Sequence, residues 1–506
     1  MTRLKREEWH DITRLTDWTP AYVDDAAIFP EWMSGGAGID RERWHEWRED
    51  YRCSYAEYVA TQRDKDDGAY AVKAALQRST LFDSLDEGAK TNSKLHFGSL
   101  SLIEYIAVPA ELCMARFGLT GGWRNMAVLG ALDEMRHTQL NLFFAHELVS
   151  KDIHYDWAQK AYHTNNWAII AGRGFFDATM GAASAVDVAL GLPFTIETGF
   201  TNLQFVALAA GALQSGDVNF ANLISSIQTD EARHAQQGGP TLAAVMERDP
   251  ERAQWLIDRT FWLCQRLFSI VTGPSMDYYT PLEGREQSYK EFMQEWIVDQ
   301  FVTQIEDYGL KKPWYWDEFM EGLNHAHHAG HLGTWFYRWT LFWNPNGGVS
   351  KPEREWLCEK YPDWNEHWGP MWDQVIHNIN DYRPDLTLPN TLPWICNMCN
   401  LPIGCATSPR SVKYPVRPYK LVHSGKKYWF CSDPCRRIWW NDRSYMTHQK
   451  TIIERLLDGT IQPPDLTGAF EYMGVSTAEM GDDAYNCAWA YDYADEYAAR
   501  MAKGAP

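Results

Sequence analysis

The sequence contains the pentad Asp-Glu-x-Arg-His twice, as DEMRH at 133–137 and as DEARH at 230–234. On a helix, residues three apart project from the same face, so the Glu and the His of each pentad can bind one metal ion. The side chains concerned are Glu134 with His137, and Glu231 with His234. The repeat therefore predicts two helices that each supply a carboxylate and an imidazole to a metal site.

The Glu-x-x-His spacing alone is weak support for metal binding, because it also occurs at Glu7/His10 and at Glu42/His45. These two pairs lie in Trp-rich stretches without a matching partner. A solvated helix face explains such an isolated pair as well as a metal does. The pentads need further residues beside them before a metal site is the better interpretation.

A glutamate among apolar residues precedes each pentad: Glu104 stands thirty residues before Glu134, and Glu197 stands thirty-four before Glu231. Two helices with one Glu each and two with Glu-x-x-His make up the ligand set of a carboxylate-bridged site in a helical bundle. Taken singly, Glu104 or Glu197 could be a core carboxylate paired with an arginine. Together, so many buried carboxylates require cations, and the set predicts a site for two iron ions.

The aspartates that open the pentads have an explanation in the same site. A metal-bound His commonly donates its other ring N–H to a carboxylate, and an Asp four residues earlier lies on the same helix face. We therefore expect Asp133 to orient His137 and Asp230 to orient His234; the alternative is a plain surface charge. For Arg136 and Arg233 in the pentads we expect structural ion pairs.

The charge balance excludes several classes of partner. The chain has 47 cationic and 67 acidic residues, a net charge of -20, which argues against nucleic acid or an anionic membrane. The N-terminal stretch lacks an apolar core of signal-peptide length, and no run of about twenty apolar residues indicates a membrane span. We expect a cytoplasmic protein. The sequence has no Walker loop or dinucleotide fingerprint, so electrons must arrive from partner proteins.

Apolar spacing and proline content divide the chain into three parts. Helical periodicity dominates from about 55 to 340, which predicts a mainly α, ferritin-like helical bundle with an N-terminal arm and outer helices over 1–380. The proline-rich stretch 381–394 predicts a linker. A small Cys-rich α+β unit, similar to a zinc ribbon, is predicted over 395–450, and a helical tail over 451–506.

Four cysteines in the small unit have the spacing of a structural zinc site. Cys396-x2-Cys399 and Cys431-x3-Cys435 flank a strand-like stretch with a predicted turn at Ser424-Gly425. Two alternatives stay open: Cys405 competes as a ligand, or the four thiols are reduced and hold no metal.

The run HAHHAGH, with His325, His327, His328 and His331, suggests a second metal site at first sight. No carboxylate or cysteine accompanies these histidines in the sequence. We therefore expect them to be surface or interface residues.

Several stretches resemble a known family: the two pentads, ETGFTN at 197–202, SSIQTDEARHAQQGG at 225–239 and MDYYTPLE at 276–283. They are similar to the large (alpha) subunit of the hydroxylase in soluble multicomponent diiron monooxygenases, and most of all to the four-component toluene, alkene and isoprene group. The resemblance runs from WHDITRLTDWTPAYV near the N-terminus to about residue 480.

This resemblance implies a ligand set, a reaction and partners. Two irons bind, activate O2 and place one oxygen atom in a hydrocarbon, and the other atom becomes water. The partners implied are beta and gamma subunits in a dimer of αβγ, a small effector protein, a Rieske-type ferredoxin and an NADH-dependent reductase. The six residues at the positions of the iron ligands are Glu104, Glu134, His137, Glu197, Glu231 and His234.

The resemblance also implies roles around the metal site. Thr201 matches a threonine implicated in proton delivery, although a helix threonine can simply bond a carbonyl of its own helix. Asn202 and Gln228 match residues whose side chains move when a regulatory protein docks. Leu100 and Ala107 flank Glu104, and other positions match cavity-lining residues, although an apolar stripe is often just core. The expected substrate pocket contains Leu100, Ile103, Ala107, Phe176, Ile196 and Phe205.

Two departures from the aromatic-oxidising relatives bear on the substrate. Positions 103 and 196 are isoleucines where those relatives tend to have a small residue and a Phe. This favours a small, flexible substrate, and we expect epoxidation of a short alkene such as isoprene or propene. The alternatives are hydroxylation of toluene, benzene or phenol by the same site, and a ferritin-like protein that oxidises and stores iron. Asn141 stands where a radical-generating relative would have a tyrosine, which disfavours that function.

Overall fold

A computed structural model shows a mainly α-helical chain with a ferritin-like bundle at its centre. The predicted fold class is confirmed. The structure describes residues 3, 5, 20–36, 38–50, 53–152, 154–156, 167–181, 183–337, 349–380, 394–405, 418–451, 454, 455 and 458–460. The pair Glu7/His10, all but the last residue of the predicted linker at 381–394 and nearly all of the predicted C-terminal tail lie outside these residues.

The first half of the chain supplies an N-terminal arm and the helices of the central bundle. In chain order the helices are α1 (Asp25–Ile28), α2 (Glu31–Ser34), α3 (Arg41–His45), α4 (Tyr55–Leu76), α5 (Glu87–Phe117), α6 (Gly121–Leu148), α7 (Trp167–Phe176), α8 (Ala185–Ala189), α9 (Asn202–Gln214) and α10 (Val218–His234). Short 3-10 turns lie at Phe82–Ser84 and Ala235–Gln237.

The second half wraps one long helix and several short ones around that bundle. These helices are α11 (Gly238–Arg248), α12 (Pro250–Pro274), α13 (Tyr289–Met293), α14 (Val302–Asp307), α15 (Trp316–Gly322), α16 (Ala326–Phe336), α17 (Lys351–Lys360), α18 (Trp364–His367), α19 (Gly369–Asn380), α20 (Asp433–Asn441) and α21 (Arg443–Met446). A further 3-10 turn lies at Leu282–Gly284.

The core packs α5 along α6 and α9 along α10, with α4 against the outside of α10. Side-chain caps fix where these helices begin, because each satisfies a backbone N–H that the first turn leaves free. Ser54 and Glu57 form a capping box at α4, and Asp217 accepts from the Phe220 backbone N–H at 3.0 Å at the start of α10. The long helices thereby enter the bundle in fixed register.

Part of the bundle is π-helical, which the sequence periodicity did not predict. Pro193 inside Leu190–Thr201 has no N–H to give an ordinary helix bond, and the backbone there widens to bonds that span five residues. Thr195 Oγ1 donates to the Leu190 carbonyl at 2.8 Å, and Thr198 Oγ1 donates to the Pro193 carbonyl at 2.7 Å. Other π-helical segments among the described residues are Asp177–Gly181, Ser275–Tyr279 and Gln294–Phe301.

The small unit contains the predicted hairpin. Strand β1 (Tyr419–His423) pairs antiparallel with β2 (Lys426–Phe430), and His423 lies opposite Lys426. Ser424 and Gly425 have φ of 49° and 77°, the left-handed conformation that a two-residue hairpin turn requires. The predicted turn at Ser424-Gly425 is confirmed, and α20 and α21 complete the unit.

The histidines of the HAHHAGH run are not surface residues, and that expectation is wrong. All four are buried in the core of the chain, at 5% exposure or less. His327 Nε2 lies 2.9 Å from Asp277 Oδ2, and the Tyr278 hydroxyl lies 2.6 Å from His328 Nδ1. The partners are therefore an aspartate and a tyrosine that lie about fifty residues away in the sequence, where no local pattern indicates them.

Among the described residues one helix, α5, is long and apolar enough to span a membrane, by length and composition alone. More than half of that apolar window, 56%, is buried inside the structure. The helix also carries the buried carboxylates Glu104 and Glu111. Its apolar character is that of a bundle core helix.

Candidate metal centre

Six side chains from four segments converge in the middle of the bundle. Glu104 comes from α5, and Glu197 comes from the π-helical segment before α9. The pentads on α6 and α10 supply one Glu and one His each, and all six side chains are buried. Their ligand atoms form two overlapping groups, each with its atoms within 4.8 Å of one another: Glu104, Glu134, His137 and Glu231; and Glu134, Glu197, Glu231 and His234.

The two groups share Glu134 and Glu231, which gives each metal position one histidine, one terminal glutamate and two shared glutamates. His137 Nδ1 lies 3.2 Å from Glu231 Oε1, and His234 Nδ1 lies 3.1 Å from Glu134 Oε1. Several of these buried atoms have no hydrogen-bond partner: His137 Nδ1, His234 Nδ1, Glu134 Oε2, Glu231 Oε1 and both oxygens of Glu197. Unpaired buried ligand atoms of this kind fit a pair of metal ions.

The pentad aspartates orient the histidines crosswise, not within their own helix as the spacing predicted. His137 Nε2 lies 3.2 Å from Asp230 on α10, and His234 Nε2 lies 2.9 Å from Asp133 on α6. The two pentads face each other across the bundle, so each Asp is nearer to the imidazole of the opposite helix. Each Asp thereby fixes a tautomer that turns Nδ1 toward the cluster and also joins α6 to α10.

The pentad arginines form ion pairs, as predicted, and they close the outer side of the site. Arg233 donates to Asp133 and, at 3.1 Å, to Asp230. Arg136 donates to Asp230 at 2.9 Å and to Asp66 on α4 at 2.7 Å. Both aspartates are fully buried, so these guanidinium groups supply the positive charge that burial demands.

Helix α4 contributes three polar residues that the sequence analysis missed. Gln62 Nε2 bridges Asp133 at 2.5 Å and Asp230 at 2.8 Å. The Tyr58 hydroxyl donates to Asp133 at 2.8 Å, and Lys65 Nζ lies 2.5 Å from Asp230. The signal in the sequence was a polar stripe at helical spacing, 58, 62 and 65, which resembles an ordinary solvated face.

The pKa values of the cluster indicate that it lacks positive charge. Burial raises the pKa of Glu104 well above its usual value and that of Glu197 to about 8. Burial acts the same way on Glu134, but its electrostatic interactions with the two neighbouring histidines outweigh it and lower its pKa to about 2. Burial would lower the pKa of His137 and His234, yet their carboxylate partners raise it well above normal. Raised pKa values on both carboxylates and imidazoles reflect an excess of buried negative charge, which bound cations would neutralise.

An apolar cavity of about 90 Å³ lies against one side of the cluster. The carboxylates of the cluster that reach its wall are Glu104, Glu134, Glu197 and Glu231. The cavity is also lined by all six residues that were expected to form a substrate pocket, which are Leu100, Ile103, Ala107, Phe176, Ile196 and Phe205. A metal pair here would have protein on one side and a small apolar space on the other.

Comparisons with known proteins place this geometry in a family. Residues 18–249 match the family model described as Methane/Phenol/Alkene Hydroxylase. The alpha subunit of the oxygenase component of the alkene monooxygenase system from Xanthobacter autotrophicus (strain Py2) is 48% identical, over 98% of this chain and 99% of its own length. The chain belongs to the methane/phenol/alkene hydroxylase family.

A more distant relative and a solved structure are also similar to this chain. The oxygenase component DmpN of phenol 2-monooxygenase from Pseudomonas sp. (strain CF600) is 26% identical over 86% of this chain and 84% of its own length. The crystal structure of phenol hydroxylase from Pseudomonas sp. OX1 has a similar fold, with a TM-score of 0.81 at 23% identity over 94% of this chain and 96% of that one.

As a member of this family, the chain is the alpha subunit of the hydroxylase component of an O2-dependent, NADH-coupled diiron monooxygenase. The carboxylate and histidine cluster fits the diiron centre of such enzymes. Which individual residues act in catalysis is a separate matter, because family membership does not assign roles to side chains.

The residues expected to act in catalysis have different positions in this hydroxylase. Thr201 lines the cavity together with Glu197, one turn away on the π-helical segment. Asn202 and Gln228 are half-buried on α9 and α10 and do not line the cavity. Their predicted movement on docking of a regulatory protein stays a prediction, whereas Thr201 already faces the space beside the carboxylates.

One further buried glutamate of the bundle, Glu111, was missed from the sequence. It lies two turns after Glu104 on α5, and both of its oxygens accept from Gln237 Nε2, at 2.9 and 3.0 Å. A Cβ at Gly130 would lie 2.6 Å from the Glu111 carboxyl carbon, so glycine there leaves room for the carboxylate. Burial raises the pKa of Glu111 well above its usual value. The seven-residue spacing from Glu104 was the available signal.

The four cysteines of the small unit also meet. The sulfurs of Cys396, Cys399, Cys431 and Cys435 lie within 4.8 Å of one another, and all four residues are buried. Cys431 Sγ lies 3.7 Å from the sulfurs of Cys399 and Cys435. Tetrahedral zinc with bonds of about 2.3 Å separates its sulfur ligands by about 3.8 Å, so the cluster fits zinc. Cys405 is buried nearby but is not part of the group of four.

Proposed function

We propose that this chain is the catalytic subunit of a monooxygenase that converts short alkenes, such as isoprene or propene, to epoxides. The observation that carries the proposal is the small apolar cavity against the carboxylate cluster, with Ile103 and Ile196 in its wall. Aliphatic side chains at these two positions leave a compact space that suits a small, flexible molecule better than a flat ring. The relative that is 48% identical over the whole chain is named as part of an alkene monooxygenase system, which supports the same substrate class.

The metal ligands in this proposal are the six residues of the cluster: Glu104, Glu134, His137, Glu197, Glu231 and His234. Two iron ions bound there supply the activation of O2. In the overall reaction one oxygen atom adds across the carbon–carbon double bond and the other leaves as water. The two electrons come from NADH through partner proteins, and two protons complete the water.

The chain's own residues orient ligands and exclude water. Asp230 and Asp133 accept the Nε2 protons of His137 and His234, so that each Nδ1 is held free to face the cluster. The apolar cavity wall keeps bulk water from the reacting atoms and confines the double bond beside the carboxylates. In this proposal the Thr201 hydroxyl, which lies in the cavity wall one turn from Glu197, holds or passes a proton there.

The partners in the proposal are those that the family resemblance implies. They are beta and gamma subunits in a dimer of αβγ, a small effector protein, a Rieske-type ferredoxin and an NADH-dependent reductase, acting in the cytoplasm. Half-buried Asn202 and Gln228 lie on adjacent helices, where a docked effector could reposition them. Relatives named as subunits or components of larger systems support a multicomponent assembly.

A competition experiment tests the proposed substrate class. The reconstituted complex is supplied with NADH, O2 and equal concentrations of isoprene and toluene, and products are quantified. We expect epoxide as the main product and NADH consumption that depends on added hydrocarbon. NADH and O2 uptake that is identical with and without isoprene, propene or toluene, with no oxygenated product, would leave only the ferritin-like alternative.

Hydroxylation of an aromatic ring is the second candidate, because Phe176 and Phe205 also line the cavity and a relative is named as a phenol 2-monooxygenase component. Ile103→Ala enlarges the cavity and is expected to shift the product ratio toward toluene oxidation by about 10-fold. Ile106→Ala, on the same helix but outside the cavity lining, is the matched control. Toluene products in excess from the unaltered enzyme would favour this second candidate.

A further inference from the structure

Helix α12 stands between the cysteine cluster and the substrate cavity. One of its faces contacts the cysteine loops through Trp262 and Arg266. The residues that follow line the cavity: Leu267, Phe268, Ile270 and Val271. Leu267 also lines a cleft between α12 and the small unit, so a single helix carries contacts to both sites.

Arg266 is a fully buried cation with an incomplete set of partners. One guanidinium nitrogen, Nη2, donates to the Cys405 carbonyl and lies 3.7 Å from Cys431 Sγ. Nε and Nη1 have no hydrogen-bond partner. A buried guanidinium is costly unless negative charge faces it. The sulfur atoms of the cysteine cluster are the groups beside it that can carry the opposing charge, and Cys431 Sγ lies 3.7 Å from Nη2.

Trp262 adds a second donor from the same helix, four residues before Arg266. Its indole Nε1 lies 3.1 Å from Cys435 Sγ. N–H groups that point at sulfur stabilise thiolates more than neutral thiols. Four thiolates around a divalent ion keep a net negative charge, which a neighbouring guanidinium offsets. Both donors therefore match a metal-loaded tetrathiolate better than four free thiols.

On its cavity side, α12 packs against the π-helical segment that carries Thr201, so a movement of the helix would displace that segment. Phe268 lies with its ring 5.4 Å from that of Phe200, which directly precedes Thr201. Phe268 and Thr201 both line the cavity. Because a packed interior transmits displacement and does not absorb it, a shift of Arg266 moves this wall as well.

We propose that Arg266 and Trp262 join α12 to a zinc ion at the four cysteines, so that this metal holds the cavity face of the helix in place. Arg266 is then a positioning residue for the reaction, acting through Leu267 and Phe268. The inference rests on the proposed function, since it takes the cavity to be where the alkene binds. Zinc loss is expected to change how the alkene is oriented while both irons stay bound.

The first experiment measures zinc retention in the assembled hydroxylase. Arg266→Gln removes the charge, Arg266→Lys keeps it, and Arg259→Gln is the matched control because Arg259 Nε pairs with Asp442 at 3.1 Å between the same helix and the same unit. Zinc and iron per chain are determined after competition with a graded chelator. We expect zinc affinity to fall 10- to 100-fold in Arg266→Gln and to fall less in Arg266→Lys. Zinc affinity should be unchanged in Arg259→Gln. Equal zinc retention in Arg266→Gln and Arg259→Gln overturns the proposal.

The second experiment tests whether zinc affects how the alkene is oriented in the cavity. The enantiomer ratio of the epoxide formed from propene is measured for the unaltered hydroxylase before zinc removal, after it and after zinc is restored. We expect a several-fold change in this ratio that zinc reverses, with a higher KM and two irons retained per chain. The same change is expected in Arg266→Gln and not in Arg259→Gln. An unchanged ratio in the zinc-depleted, iron-loaded enzyme overturns the proposal.

A third measurement separates this inference from the proposed function. Hydrogen exchange over 262–271 is compared in the unaltered hydroxylase with and without zinc, which needs no turnover and no variant that has to fold. We expect faster exchange there after zinc removal, and unchanged exchange overturns the proposal. If the enzyme forms no epoxide at all, the proposed function fails, while zinc affinity and exchange still decide whether zinc holds α12.

Discussion

The chain has two buried clusters of metal-ligand residues, and they are built in different ways. The bundle cluster takes carboxylates and imidazoles from four long segments and leaves ligand atoms unpaired beside an apolar cavity. The cysteine cluster takes two thiols from a short loop before the hairpin and two from the segment that joins β2 to the first turn of α20, and it packs against α12. Oxygen and nitrogen ligands beside a cavity suit iron chemistry, whereas four sulfur ligands suit a structural zinc ion.

The difference also appears in how each cluster is supported. Around the bundle cluster, Asp133 and Asp230 hold the histidines, and arginines on the outside neutralise the aspartates. Around the cysteine cluster, one guanidinium and one indole point directly at sulfur. The first arrangement fixes ligand direction, which a reacting metal requires. The second balances charge, which a structural metal requires.

The largest expected effect comes from removing a ligand in the bundle. His234→Ala should reduce iron to below two per chain and lower epoxidation by more than about 100-fold, while zinc stays bound. The matched control is His45→Ala, which removes the histidine of an exposed Glu-x-x-His pair on α3. Metal analysis and product formation are the measurements. Two irons retained in His234→Ala would mean that the ligand assignment is wrong.

The opposite outcome is expected at the cysteine cluster. Cys435→Ser should release zinc and lower the free energy of unfolding by on the order of 4 kcal/mol, because loss of a structural metal ranks among the largest single-residue effects. Iron should remain at two per chain. Cys358→Ser, at a half-buried cysteine outside the cluster, is the control. If Cys435→Ser lost iron in proportion to zinc, the two clusters would not be the separate sites that the comparison assumes.

The bundle cluster could be predicted from the sequence because its ligands follow helical spacing. Glu-x-x-His is a local pattern, and the two glutamates upstream complete the ligand set that four bundle helices supply to a two-metal site. The crosswise bonds from Asp133 and Asp230 could not be predicted in the same way. They depend on how α6 and α10 face each other, and this is a property of packing between helices about one hundred residues apart.

Other parts of the fold could not be predicted from the sequence for the same reason. The burial of His327 against Asp277 is set by a contact between residues fifty apart in the sequence. Glu111 was missed because its partner Gln237 lies 126 residues away. The hairpin turn at Ser424-Gly425, by contrast, depends on two adjacent residues and was predicted correctly.

A smaller effect is expected when the support of the histidines is weakened and the ligands are kept. Asp230→Asn should lower iron affinity 10- to 100-fold, since the amide cannot accept from His137 Nε2 as strongly as a carboxylate does. Asp66→Asn is the control, because Asp66 pairs with Arg136 on the outer side only. Iron titration of the metal-free hydroxylase gives the affinities. Equal affinities in the two variants would show that the crosswise bond does not contribute to metal binding.

The smallest expected effect concerns Glu111, a buried carboxylate of the bundle outside the metal-ligand groups. Burial raises its folded-state pKa above the ordinary 4.5, so the native chain binds more protons than the unfolded chain once the pH exceeds that value. The free energy of unfolding contributed by this group therefore falls as pH rises, by up to about 1.4 kcal/mol per pH unit. Glu111→Gln carries no titrating proton, and its stability relative to the unaltered, metal-free chain should increase with pH in denaturant titrations.

Glu247→Gln provides the control of opposite sign. The hydrogen bond from Arg43 lowers the pKa of Glu247, so this carboxylate stabilises the fold above its unfolded pKa and loses that effect as the pH falls through its folded pKa. Its amide variant should lose stability relative to the unaltered chain at higher pH, where Glu111→Gln gains. Parallel pH curves for Glu111→Gln and the unaltered chain would mean that Glu111 ionises normally. The buried glutamates that need a counter-charge would then include Glu111 as well as the four carboxylate ligands.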